Sequence, residues 1–209
     1  MKNLIKTLSL LLLVTFTTNS FAQNFGLRGG INLANISFEE EDLGADSKIG
    51  LVIGGIAEIG LSELISLQPE LNFVQKGYQL DIDFFGSKIE SKANINYLDV
   101  PVNVKVGFDA GGAKIYFLAG PGFGYALNGS IEFCESGNCE SEDLEFDNDD
   151  GFNRFEISGN LGAGVQFGQI FVDLRYVLGI SNLNEDDVDG NASNRGFQIS
   201  AGYMFGGGE

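Results

Sequence analysis

From residue 24 onward the chain alternates apolar and polar positions with a period of two, the period of a strand whose faces meet different surroundings. In the first segment Phe25, Leu27, Gly29, Ile31 and Leu33 share one face, and Asn24, Gly26, Arg28, Gly30 and Asn32 the other. Seven further segments repeat the pattern, over residues 48–60, 64–77, 94–108, 113–127, 154–167, 169–180 and 195–205. In the fourth, for example, Leu98, Val100, Val102, Val104 and Val106 oppose Asp99, Asn103 and Lys105. Each segment reaches the roughly 9 to 11 residues with which a tilted strand crosses a bilayer.

The connections alternate in length. Residues 35–47, 78–93, 128–153 and 181–194 are long, whereas 61–63, 109–112 and 168 are short. In an up-and-down arrangement this puts every long loop at one end. The pattern predicts an all-β fold, an eight-stranded antiparallel up-and-down transmembrane β-barrel with short periplasmic turns and long external loops. A Greek-key sandwich has no reason to sort its loops in this way.

The N-terminus fits export. Lys2 and Lys6 precede an apolar run from Leu8 to Phe16, and polar residues lead to Ser20-Phe21-Ala22, which reads as a signal peptide cleaved after Ala22. The expected organisation is therefore a signal peptide over 1–22 and one outer-membrane barrel domain over 23–209. Beyond residue 22 the chain carries 10 basic and 29 acidic side chains, and 21 of the acids fall in the four long loops. So acidic a surface lacks the Lys and Arg clusters that nucleic acid or anionic lipid requires, and the expected partners are the outer-membrane lipid around the barrel and protein partners whose identity the sequence does not give.

The polar face decides between membrane and water. A soluble periplasmic lipocalin-like barrel also alternates, with its apolar residues inside. Here the polar face is rich in Gly and carries charges of both signs: Arg28, Glu58, Glu70, Asp99, Lys105, Lys114, Arg154, Glu156, Asp173 and Arg175. In a barrel with room only for side chains, such residues are expected to form an interior charge network. Phe25, Phe73, Phe108, Phe123, Phe155, Phe167, Tyr176, Tyr203 and Phe205 fall toward strand ends, where interfacial girdles sit.

The stretches Phe25-Gly26-Leu27-Arg28-Gly29-Gly30-Ile31-Asn32-Leu33, Leu67-Gln68-Pro69-Glu70-Leu71, Tyr97-Leu98-Asp99-Val100-Pro101, Ala119-Gly120-Pro121 and Arg175-Tyr176-Val177-Leu178-Gly179 resemble the PorT-like outer-membrane β-barrel family. These are small barrels similar in plan to the OmpA and OmpX barrels. The resemblance spans the mature chain. It implies the fold, and it motivates an accessory role in a secretion or transport assembly as an alternative function.

The chemistry on offer is sparse. Cys134 and Cys139 lie in the longest predicted external loop of an exported chain, where a local disulfide is expected. With no other Cys and no His, a soft-metal site lacks ligands and the usual catalytic base is missing. The runs 147–151 and 185–190 hold oxygen ligands without the closing Glu of a calcium loop, so they are at most weak divalent-cation sites. The expected protein is a non-enzymatic integral outer-membrane barrel with a structural or surface-interaction role, without cofactor or catalytic residue.

Overall fold

A computed structural model describes residues 23–38, 46–84, 87–135, 138–144, 153–182 and 192–205. The signal-peptide segment and the acidic runs 147–151 and 185–190 lie outside these residues. Among the described residues ten strands follow one another: β1 Gln23–Phe38, β2 Asp46–Gly60, β3 Ile65–Lys76, β4 Tyr78–Phe84, β5 Ser87–Ala110, β6 Ala113–Glu135, β7 Asn138–Leu144, β8 Phe155–Phe167, β9 Ile170–Gly179 and β10 Ala192–Phe205.

Eight of these close a ring. β1 pairs with β2, β2 with β3, β3 with β5, β5 with β6, β6 with β8, β8 with β9, β9 with β10, and β10 returns to β1, each pair antiparallel. Closure leaves the ring without an edge, as a lipid environment demands of a spanning sheet. The tight turns sit at one end. Gly111 and Gly112 adopt φ of 61° and 96° between β5 and β6, and Gly168 adopts 56° between β8 and β9, values that favour glycine.

The other two strands amend the expected loops. Residues 78–93 and 128–153 were expected as connections, yet β4 pairs with β5, and the upper part of β6 pairs with β7. The ladder continues because the alternation does: Leu80, Ile82 and Phe84 alternate with Gln79, Asp81 and Asp83. Charged side chains are tolerated in a ladder that has left the lipid. β5 and β6 hold 24 and 23 residues, roughly twice what a crossing requires, so two hairpins project from the end with the long connections.

Burial settles which face is outside. Along β1, Phe25 and Leu27 are 49% and 58% exposed while Arg28 is 2% exposed, and along β9 Val172 and Leu174 are exposed while Asp173 and Arg175 are buried. A lipocalin-like barrel would have these reversed. Apolar side chains around the whole ring face outward, which places the polar residues in the lumen and the apolar belt against lipid.

Candidate functional site

Among the described residues the lumen gathers the buried polar side chains, and it is layered. At mid-height Glu70 of β3 lies between two guanidinium groups. Arg28 Nη1 donates to Glu70 Oε2 at 2.9 Å, and Arg175 Nη1 reaches Oε1 at 2.8 Å and Oε2 at 2.9 Å. Arg175 also donates through Nε and Nη2 to Asp173 Oδ2, at 3.2 and 2.8 Å. Ser200 receives Arg28 Nη2 and donates to Asp173 Oδ1 at 2.7 Å. The amides of Gln68, Asn72 and Asn103 donate the remaining bonds to Glu70. Each charge is thus buried with several partners, the condition under which burial of ions is tolerated.

Toward the long-loop end, Lys76 Nζ donates to Glu156 Oε1 at 2.8 Å and lies 4.6 Å from the centre of the Tyr97 ring, while Asn194 donates to Glu156 Oε2 at 2.6 Å. Toward the short-turn end, Lys105 Nζ donates to Glu58 Oε2 at 2.8 Å and lies 4.3 Å from the Tyr116 ring centre, and Ser66 donates to Glu58 Oε1 at 2.9 Å. Ile56, Tyr116, Leu118, Phe171 and Met204 pack together as an apolar stopper below the central cluster. Beneath it opens a recess of about 470 Å³ lined by Asn24, Glu58, Asp109, Lys114, Gln166 and Gln169 among others.

The structure thus brings Arg28, Glu70, Asp173 and Arg175 into one cluster, and pairs Lys105 with Glu58. Glu156 is joined to Lys76. Asp99 is buried but takes part in none of these ion pairs. Lys114 is half-buried at the short-turn mouth. Arg154 is placed elsewhere: it precedes β8, and its Nη1 donates to the Tyr125 hydroxyl at 3.4 Å, on a ring that faces outward against Phe155. The reason is local, since the strict alternation begins only at Phe155.

Lys76 was not among the residues selected from the sequence. Its signal was the parity of its own strand: Gln68, Glu70, Asn72, Val74 and Lys76 all point inward. Tyr97 and Tyr116 share the parity of Asp99 and Leu118, and both are buried in the lumen.

Cys134 and Cys139 face each other across the β6–β7 ladder and are joined, with Cα atoms 4.0 Å apart. Glu132 lies beside them, its Oε1 3.4 Å from Cys134 Sγ, but sulfurs bonded to each other supply no thiolate to a metal. Outside the barrel, aromatic pairs mark two levels, with Tyr125–Phe155 and Tyr176–Phe197 toward the long loops and Tyr203–Phe205 at the opposite rim.

The outer membrane protein beta-barrel domain profile matches residues 21–185. No curated protein sequence matches the chain. Among solved structures, Ail of Yersinia pestis, the attachment invasion locus protein, was determined in complex with the heparin analogue sucrose octasulfate. It is 16% identical, with 88% of this chain and 99% of that one covered and a TM-score of 0.43. Neisserial surface protein A is 11% identical over 87% of this chain and 97% of its own, with a TM-score of 0.43. The N-terminal β-barrel domain of Pseudomonas aeruginosa OprF is 12% identical over 88% and 98%, with a TM-score of 0.39.

Proposed function

Since the chain belongs to the outer membrane protein beta-barrel domain family and resides in the outer membrane, we propose that it is a non-enzymatic barrel that acts at the cell surface through its projecting hairpins, with a lumen that is a plug. The observation that carries this reading is Glu70, held by Arg28 and Arg175 in the middle of the lumen above the apolar stopper. Opening a water path would break buried ion pairs, each costing several kcal/mol if one partner is stranded, on the order of 3–5. Among the described residues the two hydroxyls that meet the central cluster are both engaged, Ser200 by Arg28 and Asp173 and Tyr116 by Asp173.

The surface role rests on geometry at the other end. The β4–β5 and β6–β7 hairpins carry acidic sheet beyond the apolar belt, the second of them clamped by the disulfide, and β7 is almost wholly exposed. Protein from outer-membrane fractions is expected to migrate faster unheated than boiled in detergent gels, and to pass no steady current in planar bilayers. A stable conductance would remove the plug reading. Trimming of the β6–β7 hairpin by protease added to intact cells tests its exposure, and an untouched hairpin counts against a surface role.

The finer PorT-like assignment, and the accessory role it implies, rest on the motifs around Arg28, Glu70, Asp99 and Arg175. Co-purification with large membrane partners and retention of exported cargo on deletion would favour that role over a self-standing surface protein.

A further inference from the structure

The outward face of β2 changes character part-way along the strand. Ile49, Leu51 and Ile53 are large and exposed, and the next two outward positions are Gly55 and Ala57. The neighbouring strands keep their bulk at the same level. Leu27 of β1 and Leu71 of β3 stand in register on either side of Gly55, and Phe25 stands beside Ala57 with Phe205 of β10 on its far side. A Cβ at Gly55 would meet nothing within 4 Å. The result is a groove of about 390 Å³ on the outside of the wall, lined by Phe25, Leu27, Gly55, Ala57, Leu71 and Phe205 among others.

The backbone is interrupted at the same place. Pro69, which also lines the groove, has no N–H to give a ladder, and the β2–β3 pairing lapses between Ile56–Glu70 and Ile59–Leu67. Glu70, the one ionisable residue of the lining, turns its carboxylate the other way, into the lumen, where Arg28 and Arg175 hold it. What the groove offers is therefore hydrocarbon. It lies in the half of the belt nearer the short turns, since β2 ends at Gly60 and β3 begins at Ile65. Its ridges stand on β1 and β3, two strand spacings or roughly 9.6 Å apart at the backbone. The ridge side chains narrow that gap to the width of a single hydrocarbon chain.

We infer that this groove seats one acyl chain of a phospholipid in the periplasmic leaflet, with the headgroup left at the level of the Tyr203–Phe205 rim. The groove is continuous with the lipid-facing belt, so the hydrocarbon that meets it is the membrane's own. A straight chain lying along β2 makes the dispersion contacts that Gly55 and Ala57 leave unmade. Nothing polar in the lining is turned outward to orient a headgroup or a peptide. The site depends on the membrane placement of the belt and is independent of the plug in the lumen.

Native mass spectrometry of the barrel, extracted from outer membranes in mild non-ionic detergent and supplied with dipalmitoyl phosphatidylethanolamine, tests the site. Wild type is expected to keep one phospholipid per chain after the detergent is stripped. Gly55→Leu fills the groove from a position whose Cβ meets nothing, and is expected to retain several-fold less lipid while its heat-modifiable band persists. Gly29→Leu, at an equally open outward glycine of β1 outside the groove, is expected to retain as much as wild type. Ala57→Leu repeats the test if Gly55→Leu does not fold. Dihexanoyl phosphatidylethanolamine, with the same headgroup on short tails, is expected to be lost from wild type, a comparison that needs no variant. The inference is overturned if wild type keeps no phospholipid, if the folded groove-filling variants keep as much as wild type, or if the short-tailed lipid is held equally well, which would put recognition in the headgroup. A wild-type dimer that the groove-filling substitutions dissociate would also overturn it, by making a second copy of the barrel the occupant.

Discussion

Arg175 and Glu70 meet at 2.8 Å from strands β9 and β3, which stand four places apart in the ring of eight and so on opposite walls of the barrel. The pair crosses the lumen like a strut, with Arg28 of β1 bracing it from a third direction.

Removing the centre of that strut is expected to be severe. Glu70→Ala leaves two buried guanidinium groups without their shared carboxylate and should cost about 3–5 kcal/mol. Glu70→Gln, which retains an acceptor, should cost less. The chain contains no Trp, so urea unfolding of the detergent-folded barrel is best followed by far-UV circular dichroism. A Glu70→Ala midpoint within error of wild type would mean that the lumen is wet enough to solvate both arginines.

The outer belt makes a depth-dependent prediction on one strand. Leu174 and Ile170 both face outward from β9, with Leu174 flanked by Ala163 and Ile199 at mid-belt and Ile170 at the short-turn rim. Leu174→Arg should cost roughly 2–4 kcal/mol in a bilayer and Ile170→Arg roughly 0–1. Equal costs in refolding titrations into lipid vesicles would argue against this placement of the membrane.

The disulfide should matter only locally. It closes a sequence separation of 5 in a hairpin beyond the belt, where chain-entropy reasoning allows about 2 kcal/mol at most, felt by the hairpin alone. Cys139→Ser is expected to leave the heat-modifiable band unchanged and to speed proteolysis between β6 and β7. Loss of the folded band would show that the hairpin supports the barrel.

Two strand glycines should behave oppositely. A Cβ at Gly29 meets nothing within 4 Å, so Gly29→Ala should be neutral or stabilising by up to about 1 kcal/mol. At Gly120 a Cβ would fall 2.0 Å from Val102 O and 2.8 Å from Asn103 Cα, both backbone, and Gly120→Ala should cost at least about 1–3 kcal/mol. Denaturant midpoints of the two variants check the contrast.

Much of this is legible along the chain. Parity alone assigns Arg28, Glu70, Asp173 and Arg175 to the inward face and Leu27, Leu71 and Leu174 to the lipid face, because successive side chains on a strand point to opposite sides whatever the strand pairs with. The same parity reaches Lys76 and Tyr97 once the strands are drawn to their full length. What reads poorly is where a strand stops. Acidic stretches such as 79–83 and 139–143 look like loop, yet at the aqueous end of a hairpin the backbone ladder continues regardless of charge.

The sequence by itself determined the period of two, the sorting of long and short connections, and hence a closed barrel with its apolar side outward, since each is a local property of strands in lipid. Only the tertiary structure decided which inward charges meet. Arg175 finds Glu70 across 105 residues of chain, and Asp99 finds none of the four buried cations in an ion pair. Those outcomes depend on the register of eight ladders and on ring closure, which fix height and azimuth in the lumen and leave no trace in the spacing of residues along any one strand.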